Sequence, residues 1–332
     1  MKNNLIEQVL KTVRNYELLK PGDTVLAAVS GGPDSIFLLH ALARLKNKLS
    51  IKKLAVCNLD HGLRAKESEE DSDFVKNCAK EAGLEYVHKK IDLKAAKSKT
   101  LSVEEVAREA RYKFFKEAAA RTGAMVIATG HTLDDQAETV LMRIIKGSSL
   151  KGIVGISPIR EEALIRIIRP LIQLEKSEIT RYLDDAGISY RIDSSNLESK
   201  FFRNVVRGEI IPFLERYNPR FKRALFNLAE HLREDFDFIE NEKARARQYT
   251  TGMPDGEVEI ELKDIAVQPR TIQKEILRDC LERAGGEVKK LSFRHWKEVE
   301  ALIKHKRKGN CVDLPGSIRV LRQEKSILFK RI

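Results

Sequence analysis

The segment most suggestive of chemistry combines two glycines, two hydroxyls and a carboxylate: Ser30-Gly31-Gly32-Pro33-Asp34-Ser35. It follows an apolar run and precedes an amphipathic one, which predicts a loop between a strand and a helix. Glycines let such a loop bring backbone N–H groups close to a ligand, and a helix N-terminus attracts negative charge. The segment therefore predicts a cradle for phosphate oxygens; an ordinary glycine-rich turn is the alternative. Its spacing fits neither a Walker A motif nor a dinucleotide fingerprint.

A second polar segment contains a histidine followed by three acids, His131, Asp134, Asp135 and Glu138. Asp135 and Glu138 are three positions apart, so on a helix both carboxylates face the same side. Acids beside a phosphate loop suit Mg²⁺ or a cationic co-substrate such as an amine. Acids at a helix start are also stabilised by the helix dipole, which is the structural alternative. Because the dipole does not require a histidine directly before the acids, we favour a functional site.

Two further groups of residues are candidates for contact with a nucleotide or a nucleic acid. Asp60 and His61 follow a predicted strand, at a position that meets the ribose and base in doubly wound nucleotide sites. The alternative is that His61 and Arg64 form a solvated loop pair. Arg108 and Arg111 lie on a predicted helix, where they form either a phosphate-contacting stripe or a solvated face. The sequence leaves both interpretations open.

The first two hundred residues alternate between β-branched runs and amphipathic stretches. The predicted strands are 24–30, 53–60, 85–92 and 124–129. The predicted helices are 34–45, one opened by a capping box at Ser68, one running from Ser102 to a stop at Gly123, and 132–147. Such alternation predicts a parallel sheet, covered on both faces and joined by right-handed crossovers. Ligands of such sheets bind at the carboxyl ends of the strands, where the candidate residues fall.

The second half of the chain has a different pattern. The segment from Lys176 to Arg247 is predicted to be helical, and the turn-rich Thr250–Gly256 follows it. Beyond it, one strand, two helices and a final strand pair around Pro315–Gly316 predict a small basic α+β domain. We therefore predict an α/β architecture: a Rossmann-like parallel-sheet domain over 1–215, a helical linker region over 216–250 and the small domain over 251–332.

The composition argues against several classes of protein. Of the 332 residues, 42% are hydrophobic, which suits a folded core, and the net charge of +12 favours a polyanionic partner such as nucleic acid. The four cysteines lie far apart, which argues against a disulfide framework or a zinc ribbon. No apolar run approaches the ~20 residues of a bilayer span, and the N-terminus lacks the apolar core of a signal peptide. We expect a cytoplasmic protein with no membrane partner; the oligomeric state stays open, a homodimer included.

A series of motifs resembles one family over roughly residues 20–220. In order they are SGGPDS, DHGLR, EEVAREARYKFF, ATGHTLDDQAETVLMRIIKGSSLKGIVGI, IIRPLI and DSSN followed by FFRNVVRGEIIPFLERYNP. The first alone resembles the PP-loop of N-type ATP pyrophosphatases, which split ATP to AMP and pyrophosphate. The whole series is narrower and resembles the tRNA(Ile)-lysidine synthase family.

The resemblance implies a ligase reaction on RNA. ATP adenylates O2 of the wobble cytidine in the CAU anticodon of tRNA(Ile), and the amine of L-lysine then attacks C2 and displaces AMP. ATP and Mg²⁺ are the implied cofactors, and tRNA(Ile) and L-lysine are the implied partners. A ring carbonyl is a poor electrophile, so adenylation supplies the leaving group that the amine needs.

The resemblance also implies roles for individual residues at the matching positions. The loop from Ser30 to Ser35 would hold the pyrophosphate of ATP, with Asp34 helping to place magnesium. Asp135 and Glu138 match the acidic positions linked with lysine. The catalytic candidates are thus Asp34, His131, Asp135 and Glu138, and the candidates for ATP or tRNA phosphate contact include Arg108, Arg111, Arg203 and Arg207. For Arg203 and Arg207 the alternative is a salt-bridge pair at a helix start.

Two rival functions remain open. A tRNA 2-thiolation enzyme shares the PP-loop and the adenylation step, but its usual sulfur chemistry needs paired cysteines or a cluster. A regulatory or RNA-binding protein that binds nucleotide without turnover would have no need of Asp135 and Glu138. Pyrophosphate release separates the second rival from the enzymes.

Overall fold

The computed structural model describes residues 2–60, 65–91, 103–162, 164–192, 202–246, 248, 250–252, 256–305 and 308–332. The chain divides into two units, Met1–Glu230 and His231–Ile332. This division falls inside 216–250, the segment that we predict to be a helical linker region; the three-part division itself remains a prediction. None of the helices among the described residues is long and apolar enough to cross a membrane.

A mixed sheet with six strands in the described residues lies at the centre of the first unit. Its strands are β1 (Thr24–Ala28), β2 (Lys53–Asp60), β3 (Glu85–Lys90), β4 (Val126–Ala128), β5 (Ile159–Glu162) and β6 (Ile165–Ile168). The order is β3-β2-β1-β4-β6-β5, and all neighbours are parallel except the β5–β6 pair. The parallel α/β fold class is confirmed. The sequence analysis missed β5 and β6, since both are short and their charged residues obscure any alternation.

Ten α-helices begin in the described residues of the first unit, and the last of them continues past Glu230, where the second unit begins. They are α1 (Lys2–Asn15), α2 (Pro33–Leu45), α3 (Ala65–Glu81), α4 (Val103–Thr122), α5 (Leu133–Ile145), α6 (Leu150–Ile153), α7 (Lys176–Ala186), α8 (Phe202–Val205), α9 (Ile211–Glu215) and α10 (Phe221–Ala246), with a π-helical turn Val206–Ile210 between α8 and α9. The stop predicted at Gly123 is confirmed by its φ of 70° directly after α4. The capping box predicted at Ser68 is wrong, because α3 already begins at Ala65.

Alternation along the strands separates two apolar layers. On β1, Val25 and Ala27 pack into a cluster with α1, α2 and α7, whereas Leu26 packs into a cluster with Phe114 and Phe115 of α4. Because successive side chains of a strand point to opposite faces, one short strand serves both layers. The sheet is thereby packed between helices on both faces. The loops that follow β1, β2 and β4 lie at its carboxyl edge.

The strand order identifies the crevice in which a ligand would bind. The chain runs outward from β1 to β2 and β3, and then returns to place β4 on the other side of β1. This reversal opens a crevice between the loops that leave β1 and β4. Those loops are the predicted phosphate loop and the segment with the three acids.

The second unit contains an antiparallel sheet and its own helices. Its elements are β7 (Thr250–Gly252), β8 (Val258–Glu261), α11 (Leu262–Ala266), α12 (Arg270–Arg283), α13 (Phe293–His305), β9 (Cys311–Leu314), β10 (Ile318–Arg322) and β11 (Ser326–Arg331). The strand order is β7-β8-β11-β10-β9. The turn predicted at Pro315–Gly316 joins β9 to β10. The sequence analysis placed β7 in a linker and missed β11, which pairs with both β8 and β10.

Candidate active site

The predicted phosphate loop, residues 30–35, turns sharply at its first glycine. Gly31 has a φ of 94°, a left-handed conformation that favours glycine, and Gly32 then precedes α2 with Pro33 in its first turn. The Ser35 hydroxyl donates to the Gly32 carbonyl at 2.9 Å and accepts from the Ser30 amide at 3.2 Å. These bonds hold the loop closed around the start of α2. The loop therefore presents backbone amides and hydroxyls at a helix N-terminus, as anion binding requires.

Asp34 lies in this first turn with an unsatisfied oxygen. Its Oδ1 is buried and has no hydrogen-bond partner among the described residues, while Oδ2 lies 3.7 Å from Lys176 Nζ. Burial raises the pKa of the Asp34 carboxyl to about 6, and the charge of Lys176 offsets only part of that rise. A carboxylate with one buried oxygen that accepts no hydrogen bond among the described residues is a fitting ligand for Mg²⁺, which prefers carboxylate oxygens. The residues present thus fit the metal.

The loop after β4 approaches the phosphate loop closely. A Cβ atom added to Gly130 would lie 3.2 Å from the backbone carbonyl of Asp34 and 3.3 Å from the Ser35 nitrogen. Glycine is needed here because the neighbouring atoms are backbone. The close approach brings the two loops together at the crevice between β1 and β4.

A capping box starts α5 and orients the first of the paired acids. The Thr132 amide and hydroxyl donate to Asp135 Oδ2 at 2.9 and 3.0 Å, and the Asp135 amide donates back to Thr132 Oγ1 at 3.4 Å. One carboxylate oxygen of Asp135 is thus used by the helix cap. The other oxygen, Oδ1, is directed to the cations around the crevice.

Asp135 and Glu138 lie together, and both are paired with cations from distant parts of the chain. Lys176 Nζ donates to Asp135 Oδ1 at 3.0 Å. Arg203 Nε and Arg207 Nε donate to the two oxygens of Glu138 at 2.7 and 2.6 Å, and Arg207 Nη2 adds a third bond at 3.1 Å. Glu138 is almost fully buried, with 2% of its side chain exposed. Its carboxylate therefore orients both arginines.

The remaining acid of the segment, Asp134, joins two other elements to α5. Its Oδ2 accepts the backbone amide of Lys176 at 2.8 Å, and its Oδ1 accepts Lys222 Nζ at 2.9 Å. Asp134 thus helps to fix the start of α7, where Lys176 is the first residue. This contact places the Lys176 side chain between the two loops.

The cations determine the protonation of this cluster. Burial alone would raise the pKa of the Asp135 carboxyl, but Lys176 and Arg203 outweigh it and lower the pKa to about 2. Burial likewise disfavours the Lys176 ammonium, yet the attraction of Asp135 and Asp34 raises its pKa. Asp135 and Lys176 are therefore both charged near neutral pH.

His131, in the loop between β4 and α5, is in its neutral form near pH 7. Its Nδ1 is 2.9 Å from the Thr129 hydroxyl. Burial is the main reason that the pKa of the imidazole falls to about 4, and the nearby charges of Arg169, Arg111 and Arg203 lower it further. The imidazole is therefore unprotonated at neutral pH and can accept a hydrogen bond, but so low a pKa makes it a weak base.

The remaining candidates are Asp60, His61, Arg108 and Arg111. Asp60 is buried at the carboxyl end of β2, the strand next to β1, and so lies at the same edge of the sheet as the phosphate loop. His61 lies outside the described residues, and so does the side chain of Arg108, although α4 includes its backbone. Arg111 is exposed on α4, and its charge acts on His131.

Comparison with known proteins identifies the family of this chain. Residues 1–214 match the family model described as a PP-loop domain. The chain is 34% identical over 328 residues to the tRNA(Ile)-lysidine synthase of Clostridioides difficile, covering 98% of this chain and 70% of the relative. The chain belongs to the tRNA(Ile)-lysidine synthase family. The family member of Geobacter sulfurreducens is also 34% identical, over 332 residues, with the same two coverages.

A solved structure supports the fold of this lysidine synthase family member. The U34-tRNA thiolase NcsA from Methanococcus maripaludis aligns with a TM-score of 0.58 at 20% identity, over 70% of this chain and 80% of the thiolase. At that identity the likeness shows the shared fold alone. The PP-loop family and the curated relatives imply that the chain uses ATP.

The sequence analysis missed two lysines of this family member's site, Lys176 and Lys222. Lys176 follows the IIRPLI motif by several residues and was assigned only to a helical region. One signal could have found it: a lysine in the first turn of a helix opposes the helix dipole and needs compensation. Asp134 and Asp135 provide that compensation from α5. Lys222 gives no such signal, since its partner becomes apparent only in the fold.

Proposed function

We propose that this chain ligates L-lysine to C2 of the wobble cytidine in the CAU anticodon of tRNA(Ile), using ATP. One observation carries the proposal beyond family membership. The phosphate loop and the paired acids meet at one crevice, where Lys176 Nζ lies 3.7 Å from Asp34 and 3.0 Å from Asp135. An ATP site and an amine site must adjoin in this way, because the cytidine that ATP adenylates is the electrophile that the amine then attacks.

The first step is the adenylation of cytidine. The cytidine O2 attacks the α-phosphorus of ATP, the bond from that phosphorus to the β-phosphate oxygen breaks, and pyrophosphate leaves. Backbone amides of the loop from Ser30 to Ser35 bind the departing phosphates, and the helix N-terminus attracts their charge. Mg²⁺, when bound, neutralises phosphate charge. Asp34 would hold it through Oδ1, its unpartnered oxygen.

The second step is the attack of the lysine amine on C2. The C2–N bond forms, the C2–O bond to AMP breaks, and the amine loses a proton. Asp135 and Glu138 supply the negative charge that attracts a diammonium substrate. Because the pKa of His131 is about 4, its imidazole is too weak a base to keep the proton, which passes on to solvent. In this structure Arg203 and Arg207 bind both oxygens of Glu138, so direct contact with lysine falls first to Asp135 Oδ1.

Two of the four cysteines are unsuited to the sulfur chemistry of the thiolation rival; of the other two, Cys78 is half-buried and Cys311 is exposed. Cys57 and Cys280 are buried, and burial raises the pKa of each thiol to about 12. A thiol with so high a pKa is a poor sulfur nucleophile. No group of three or more metal-ligating His, Cys, Asp or Glu side chains is found in the part of the chain that the structure describes.

The test is pyrophosphate release from ATP with unmodified CAU-anticodon tRNA, with and without L-lysine, followed by mass analysis of the tRNA. A lysine-dependent mass gain on the wobble cytidine is expected. A sulfur-sized gain would instead support thiolation. Absence of pyrophosphate release with any tRNA would leave a nucleotide- or RNA-binding protein without turnover.

A further inference from the structure

The free protein already satisfies its acids with its own cations. Within the described residues the acids Asp34, Asp134, Asp135 and Glu138 pair with Lys176, Lys222, Arg203 and Arg207. A substrate with two ammonium groups would therefore enter a cluster whose charge is already balanced. For lysine to bind tightly, at least one of these cations must leave its acid.

Among these cations, Lys176 alone contacts both the phosphate loop and the paired acids in the described part of the chain. Its Nζ lies 3.0 Å from Asp135 Oδ1, a hydrogen bond, and 3.7 Å from Asp34 Oδ2, beyond hydrogen-bond length. Arg203 and Arg207 make their short bonds to Glu138, and Lys222 makes its short bond to Asp134. The ammonium of Lys176 thus lies between Asp135 and the first turn of α2, beside the candidate phosphate loop.

The Lys176 side chain has the freedom to change partners. It is 31% exposed, whereas Asp135 is only 12% exposed. Its backbone stays anchored, because the amide donates to Asp134. A flexible stem on a fixed start of α7 lets the ammonium move while the helix does not.

We propose that Lys176 couples the binding of ATP to the binding of lysine. Without nucleotide, its ammonium occupies Asp135 Oδ1; when ATP fills the phosphate loop, the ammonium turns to the phosphates and frees that oxygen for the substrate amine. Lys176 is thus a positioning residue for lysine and a phosphate ligand for ATP. This inference rests on the proposed function, since it takes lysine as the occupant of the acids.

The test measures the dissociation constant of L-lysine by calorimetry, with and without α,β-methylene-ATP and Mg²⁺. In the wild-type protein the analogue is expected to tighten lysine binding about tenfold, a typical coupling between sites. In Lys176→Met, lysine is expected to bind about tenfold more tightly without nucleotide, and the analogue to change it less than about twofold. Arg203 and Arg207 remain at 3.5 and 3.9 Å from Asp135 Oδ1, so the buried acid keeps nearby positive charge and the variant should fold.

Two further variants separate the role of the Lys176 ammonium from a general loss of positive charge. Lys176→Arg keeps a mobile cation and should keep the coupling. Lys48→Met removes an exposed lysine that pairs with Glu7, outside the site, and should keep the coupling too. Unchanged or weaker lysine binding by Lys176→Met without nucleotide overturns the proposal.

Lysine incorporation into tRNA, measured on the same wild-type preparation, tests the proposed function separately. If the wild type forms lysidine while Lys176→Met retains full coupling, only the role of Lys176 fails. If the wild type neither binds lysine nor modifies tRNA, the proposed function fails, and the coupling fails with it.

Discussion

The backbone of Gly130 lies directly against the backbone of Asp34, although Gly130 follows β4 and Asp34 lies in the first turn of α2, which follows β1. A Cβ on Gly130 would meet the Asp34 carbonyl carbon and oxygen at 3.2 Å. Because this carbonyl belongs to the first turn of α2 and cannot turn aside as a side chain can, the loop after β4 or the start of α2 would have to shift by a few tenths of an ångström. The spacing of the candidate ATP and amine sites thus depends on a residue with no side chain.

Gly130→Ala is therefore expected to destabilise the protein and impair ATP use together. We expect a loss of about 1–3 kcal/mol in the free energy of unfolding, typical of overpacking, and a lower kcat/KM for ATP. Urea unfolding and pyrophosphate release measure the two effects. Gly208→Ala is the control for stability, because nothing lies within 4 Å of its added Cβ. Equal stability of the two variants would contradict the close contact.

Removing the Glu138 carboxylate is expected to cost far more stability than removing a similar but exposed acid. Glu138→Ala empties a buried position and leaves the partly exposed Arg203 and Arg207 without their main partner, and should lower the free energy of unfolding by about 2 kcal/mol. Asp313→Ala is the matched control: Asp313 also accepts two bonds from one arginine, Arg319, but is 55% exposed. Its loss should cost less than about 1 kcal/mol. Chemical denaturation of both variants decides whether burial makes the difference.

Asp34→Asn is expected to stabilise the metal-free protein in a pH-dependent way. Burial raises the pKa of Asp34 from 3.8 to about 6, so the folded state holds its proton more tightly than the unfolded state does. Stability from this group is therefore present below pH 3.8 and is lost as the pH rises through about 6. Asparagine removes that loss, which amounts to about 3 kcal/mol at high pH.

The measurement is urea unfolding of both proteins in a chelating buffer at about pH 8 and about pH 4, where linkage predicts a large and a small difference respectively. The variant should also lose pyrophosphate release, since the candidate magnesium ligand is gone. A stability difference that did not change with pH would show that Asp34 is not the titrating group.

The lysines around Phe293 are expected to contact tRNA phosphates. Phe293 is 64% exposed at the start of α13, and the ammonium groups of Lys274 and Lys297 lie 5.9 and 5.2 Å from its ring centroid. Each phosphate contact releases counterions, so Lys274→Ala and Lys297→Ala should each reduce the salt slope of tRNA binding by about 1. Lys48→Ala, an exposed lysine paired with Glu7 in the other unit, should leave the slope unchanged. Filter binding at several salt concentrations makes the comparison.

Local sequence was sufficient to predict the elements that carry the chemistry. Apolar runs followed by glycine, serine and acid residues mark the ends of β1 and β4, because strand and helix periodicities are properties of neighbouring residues. The same reasoning predicted the parallel sheet and hence the edge at which the loops meet. It could not find β5 and β6, because each has only four residues and their charged side chains obscure any alternation.

Only the tertiary structure decided which charges face each other. Lys176 is 41 positions from Asp135, and Arg207 is 69 positions from Glu138, so no local pattern relates them. Burial, which also depends on the whole fold, raises the pKa of Asp34 and lowers that of His131. The sequence thus determined which reactive groups lie at the crevice, whereas folding determined their partners and protonation, because electrostatic energies depend on distance and solvent exposure rather than on order along the chain.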